Sequence, residues 1–297
     1  LAGTGDYFSE DRFGGPGSTA VKPEDGVRDA KDTLRRAFAY AKARGLRVGL
    51  GFDASGDPTD ATVQAAFDAR LRGVLKEYPG LDYVWIWAPE LAAVSATETP
   101  APRSLLAAYT DRWEQQFASE PRPSRRAEAV KHCLFLMQAQ RVLEALRPEV
   151  RLVSGAWGGD YSWRFTDFSE GMDRVLPPSV TLGALDDMPV RKAVSATYSH
   201  IASERAKWPV IWLECDGDLW MPQPNLSAIA GSYSDALAKG CQGLFGLHWR
   251  TRTFDDPVGY LARLVWNPKL TPKDYLVRRA RDLATGAAAR AKPRLAY

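Results

Sequence analysis

The chain has 297 residues, 45% of them hydrophobic, enough to bury the core of one large domain. Its net charge of +3 comes from 39 basic and 36 acidic residues spread along the sequence, so neither nucleic acid nor an anionic membrane is expected as a partner. No run of eighteen apolar residues occurs, the polar and acidic start up to Asp11 does not read as a leader, and Cys133, Cys215 and Cys241 form neither a disulfide framework nor a metal-ligand spacing with histidine.

Residues 1–28 read as an irregular segment. Apolar residues at helical spacing over 29–44 end at Gly45, a helix stop, and the strand-like run RVGLGFD (47–53) follows. The same alternation continues: a helix over 61–77, the apolar run LDYVWIWAPE (81–90), a helix over 125–147 and the strand-like run RLVSGAWGGD (151–160). A short helix (170–176) leads to VTLGALDD (180–187), a helix over 190–207 to PVIWLECDGD (209–218), and a helix over 226–239 to CQGLFGLHWRTR (241–252), before 257–266 closes the series.

Alternating strands and helices imply a parallel sheet covered by helices. Each strand is apolar along its length and ends in a polar or aromatic group, as in a barrel whose site is assembled from C-terminal strand ends. A doubly wound open sheet competes, but no GxGxxG or GxxxxGK[ST] follows any strand. The expected fold is therefore an α/β, (β/α)8 TIM-type barrel: one catalytic domain over 1–297, with six βα units over 47–266 and the first two barrel strands lacking.

Two strand ends carry glutamates, Glu90 and Glu214, on what count as the fourth and seventh barrel strands. Cleaving a glycosidic bond needs one carboxylic acid to protonate the leaving oxygen and one carboxylate to attack the anomeric carbon or activate water. The competing reading pairs each glutamate with a nearby arginine. Around them stand the candidate substrate-binding residues: Asp53, Trp157, Asp160, Tyr161 and Asp187 at the ends of other strands, and Asp216 and Trp220 after the seventh. His248, Trp249, Arg250 and Arg252 crowd the eighth strand end, offering a ring to stack on a sugar and two guanidinium forks suited to an acidic sugar. Trp85 and Trp87 share one strand face, directed either to the barrel interior or to the helices, and Trp87 joins the candidate site if the interior is correct.

WAPE at the fourth strand and WLE at the seventh resemble the clan A retaining barrel glycosidases. That resemblance implies Glu90 as acid/base and Glu214 as nucleophile; Pro89 stands where the family usually places Asn. ECDGDLWMPQPN, GLHWRTR and WNPKLTPKDY are also similar to α-glucuronidase and hexosaminidase barrels.

The expected substrate is an oligosaccharide or polysaccharide, with secreted or periplasmic action favoured. No cofactor and no metal are expected, because His248 is the sole strand histidine and no DxDxDG loop is present. A carbohydrate-binding barrel without catalysis and a barrel fragment completed by a partner are the alternatives.

Overall fold

The computed structural model describes residues 23–88, 101, 103–120, 122–156, 168–185, 192–213, 225–247 and 255–291. In chain order these form α1 (Pro23–Lys42), β1 (Gly49–Asp53), α2 (Ala61–Glu77), β2 (Tyr83–Ala88), α3 (Leu105–Arg112), α4 (Pro123–Leu146) and β3 (Arg151–Ala156). They continue with α5 (Ser169–Val175), a 3-10 turn (Ala196–Ser199), β4 (Val210–Trp212), α6 (Leu226–Ala238), β5 (Phe245–Leu247), α7 (Asp255–Trp266) and α8 (Pro272–Ala291).

Local chemistry sets several helix starts. Asp60 accepts from the backbone N–H groups of Thr62 and Val63 ahead of α2, Ser104 accepts from that of Ala107 ahead of α3, and Pro123 opens α4 where no N–H is needed.

All strand pairings are parallel. β1 pairs with β2 and β2 with β3. The extended segment 180–185 then bridges to β3 and onward: Ser154 N–H donates to Thr181, Trp208 N–H to Leu182, and Val210 N–H to Ala184. β4 pairs with β5. Among the described residues, six neighbouring parallel segments in sequence order result.

Strand alternation sends two sets of side chains to opposite faces. Phe52, Val84, Ile86, Leu152 and Ala156 join the main core with Phe67 and Leu71 of α2 and Phe135 and Leu136 of α4. Phe67 links the layers, its ring centroid 5.9 Å from Phe52 and 5.0 Å from Phe135. Each of the larger side chains contributes about 1.5–3 kcal/mol when fully buried. The other face buries Trp85, Val153, Leu185 and Val210, with Tyr83, Trp87, Trp208, Trp212 and Leu247 packed around them. Trp85 of β2 meets Phe245 of β5 edge to face, and the rings of Tyr83 and Trp208 lie 5.2 Å apart. In a flat sheet, four strand steps would hold β2 and β5 about 19 Å apart. The sheet therefore curls, and this second cluster fills its concave side.

Buried cations seal the N-terminal end of the sheet. Arg205, 2% exposed, pairs with Asp173 and donates to the carbonyls of Asp173, Leu176, Pro177 and Val180. Lys207 Nζ, equally buried, donates to the carbonyls of Tyr198, Ile201 and Lys239. Both charges thus satisfy loop carbonyls that would otherwise be orphaned.

Three elements differ from expectation. The helix expected over 190–207 is absent from its described part, 192–207, which holds only the 3-10 turn. There Ser195 Oγ accepts from Thr197 N–H and Val194 N–H goes to Asp235, so side chains take the backbone donors a helix would use. The strand expected over 180–187 forms bridges instead of a regular ladder in its described part. α1 begins before residue 29, and α3 and α8 were not anticipated; α8 lies beyond the series of six units.

His132 of α4 is buried against β3, its Nε2 2.9 Å from Ser154 Oγ, and burial pushes its pKa down to about 3. Folding therefore holds the ring neutral, whereas the unfolded chain protonates near pH 6.5. This contribution is complete above pH 6.5 and is lost as pH falls towards 3, at up to about 1.4 kcal/mol per pH unit. Urea unfolding at pH 7 and pH 5 should show about 2 kcal/mol less of this loss in His132→Gln than in the parent; equal pH slopes would contradict the assignment.

Candidate functional site

Parallel pairing brings the C-terminal ends of all the strands to one end of the sheet. Across β1, β2 and β3, Asp53, Trp87 and Gly155 stand in register as one row on the concave face. Beneath it lies the row Gly51, Trp85 and Val153, then Gly49, Tyr83 and Arg151. Trp85 and Trp87 therefore face the interior, with ring centroids 5.4 Å apart, and the alternative in which both serve the helical core is set aside.

Gly155 makes room for them. A Cβ there would overlap Trp85 Nε1 and the six-membered ring of Trp87. β3 thus lacks a side chain where the two indoles lie across it, and Trp87 is held at the top of the packed interior.

Asp53 is the described carboxylate of this row. Its surroundings desolvate the carboxyl and hold its pKa above the usual range, an effect the charge of Arg70 opposes. Arg70 also donates to the Asp53 carbonyl at 3.1 Å and lies 4.5 Å from the ring centre of Phe52, which fixes the strand end to α2.

The remaining candidates, Glu90, Trp157, Asp160, Tyr161, Asp187, Glu214, Asp216, Trp220, His248, Trp249, Arg250 and Arg252, lie outside the described residues. Their sequence attachments are short: Glu90 is two residues past Ala88, Trp157 one past Ala156, Glu214 one past Leu213 and His248 one past Leu247.

Trp212, which the sequence analysis did not place among the candidates, also lies on the concave face. It is the last residue of β4, partly buried in the concave cluster and in register with Leu247. Its signal was the spacing Trp208, Val210, Trp212, which repeats the alternation of Tyr83, Trp85 and Trp87. Thiol chemistry finds no support in Cys133 or Cys241: both are buried, Cys133 has its pKa pushed far up by desolvation, and Cys241 is raised to about 11 for the same reason. Among the described residues, no group of three or more His, Cys, Asp or Glu side chains could hold a metal ion, and no helix is long and apolar enough to cross a membrane.

No family model matches the sequence, and no curated protein matches it. Among solved structures, the chain is similar to an O-GlcNAc hydrolase mutant of Thermobaculum terrenum, with a TM-score of 0.55 and 10% identity over 86% of this chain and 50% of that one. The chain thus spans about half the length of that structure. It also has weaker likenesses to a GH53 catalytic domain of Ignisphaera aggregans (TM-score 0.41, 14% identity, covering 73% of this chain and 66% of that one). A sugar phosphate isomerase/epimerase from Parabacteroides distasonis gives TM-score 0.40 and 12% identity over 79% and 74%. The first likeness agrees with the curled parallel sheet in supporting an α/β fold of the TIM-barrel kind.

Gly155→Val should force the two indoles off β3, costing about 1–3 kcal/mol as overpacking does, and should shift tryptophan emission. Denaturant unfolding followed by fluorescence checks this; unchanged stability and emission would refute the packing described.

Proposed function

We propose that the protein is a glycoside hydrolase in which Glu90 and Glu214 act as a carboxylate pair at the C-terminal end of the barrel sheet. The observation that carries this reading is the common direction of β2 and β4, each of which ends two residues before its glutamate. Active sites on this architecture are built at that end.

In this reading Glu90 protonates the departing glycosidic oxygen and Glu214 attacks the anomeric carbon or activates water. Two carboxylates above a floor of indole rings would raise the acid's pKa through desolvation and mutual repulsion, keeping it protonated near neutrality. Trp87 and Trp212 offer ring surface to a sugar face, and Asp53 can take a hydroxyl. Trp157, Asp160, Tyr161, Asp187, Asp216, Trp220, His248 and Trp249 supply further substrate contacts. Arg250 and Arg252 favour an acidic, uronic-acid-containing glycan.

A second reading, a barrel completed by strands from elsewhere, is favoured by the sheet edges. Among the described residues β1 pairs only with β2 and β5 only with β4, and Tyr40, Leu46 and Phe245 are exposed near these ends. If it holds, backbone amides of β1 exchange rapidly in the isolated 297-residue chain. A cooperatively melting monomer with protected β1 amides excludes it.

For the leading reading, Glu214→Gln should abolish turnover of both an aryl glycoside and a uronic-acid oligosaccharide while preserving the fold. Glu90→Gln should fail most on the oligosaccharide, since an activated aryl group leaves without a proton. If both variants lose less than about tenfold, or about 1.4 kcal/mol of barrier, the pair is not catalytic and the carbohydrate-binding barrel takes its place.

A further inference from the structure

A concavity of about 500 Å³ lies between α7 and α8, away from the strand ends. α7 starts in the connection that follows β5, and its twelve residues carry Trp266 about 18 Å along the helix axis from that start. Two buried tyrosines fix the corner. Tyr260 Oη donates to the Leu270 carbonyl at 3.0 Å, the Tyr275 ring packs edge-on against Tyr260, and Tyr275 Oη donates to Asp256 at 3.2 Å. Thr271 Oγ1 accepts from Asp274 N–H at 3.1 Å and so caps the start of α8.

On this rigid corner, Trp266 is 91% exposed, far more than any other exposed large apolar side chain among the described residues. Around it the concavity is lined by Arg263, Asn267, Tyr275, Arg278, Arg281 and Asp282. Among the described residues no ion pair engages these three arginines; Arg263 lies 5.4 Å from the ring centre of Tyr275. Three guanidinium groups against one carboxylate leave the rim positive. An open indole face suits the apolar face of a pyranose ring, a guanidinium fork suits a carboxylate, and a side-chain amide suits hydroxyls.

We propose that the α7–α8 corner is a second saccharide site, which grips a carboxylated (uronic-acid) oligosaccharide on Trp266 through Arg278 and Arg281. The choice of a saccharide ligand rests on the glycan-cleaving reading; the charge and the ring are independent of it. Its role would be to hold a long acidic chain while a different part of that chain is worked on at the strand ends.

The test is isothermal titration of the full chain with an oligogalacturonate hexamer, alongside Trp266→Ala and Arg281→Glu, both at exposed positions where folding should survive. Each variant should lose at least tenfold in affinity for this site, while turnover of a small aryl glycoside stays within twofold of the parent. Unchanged affinity in both variants overturns the site. So does equal binding of a neutral cello-hexamer, or binding of poly-glutamate that depends on the same two residues, which would mark a general anion or peptide surface. Because aryl glycoside turnover is read separately, failure here and failure of the catalytic pair are told apart.

Discussion

The concave face of the sheet depends on one constraint: indole rings from β2 must lie across β3, and they can do so only because Gly155 carries no side chain. β1 makes the same concession on the other side, with Gly49 and Gly51 in register with Tyr83 and Trp85. With glycines flanking them, four large rings (Tyr83, Trp85, Trp208 and Phe245) meet across the curl, so the interior is a packed core and not a pore. Whatever binds above does so on a floor whose top layer is Asp53, Trp87 and Gly155.

The two ends of the sheet are chemically unlike. At the N-terminal end, Arg205 and Lys207 are buried and spend their donors on loop carbonyls, the arrangement of a structural end. At the C-terminal end, the described carboxylate, Asp53, is instead lifted in pKa by desolvation with only the field of Arg70 to offset it. Removing the carbonyl partners of a buried guanidinium would cost several kcal/mol, whereas Asp53 is exposed at the end of β1.

Much of this was readable from the sequence because apolar runs at strand period and helices at 3.6 period alternate with little interruption. β1, β2, β3, α2 and α4 fall where periodicity places them. Failures came where local hydrogen bonding overrides pattern, as at Ser195 and Val194, and where the sequence alone could not choose a face, as for Trp85 and Trp87. Choosing the face required the strand register. Trp212 was legible through its alternation with Trp208 and Val210, which puts all three on one strand face. The likeness to the Thermobaculum terrenum structure, at 10% identity, is one of chain path, which is why residues and not homology carry the functional proposal.

The proposed hydrolase requires Glu90 and Glu214 to face one another over the strand ends. A crystal structure resolving both carboxyl groups measures it directly. The expected separation is about 5–5.5 Å for a retaining enzyme or about 6.5–9.5 Å for an inverting one, and a separation well beyond about 15 Å, or carboxyls at opposite ends of the sheet, would contradict the proposed pair.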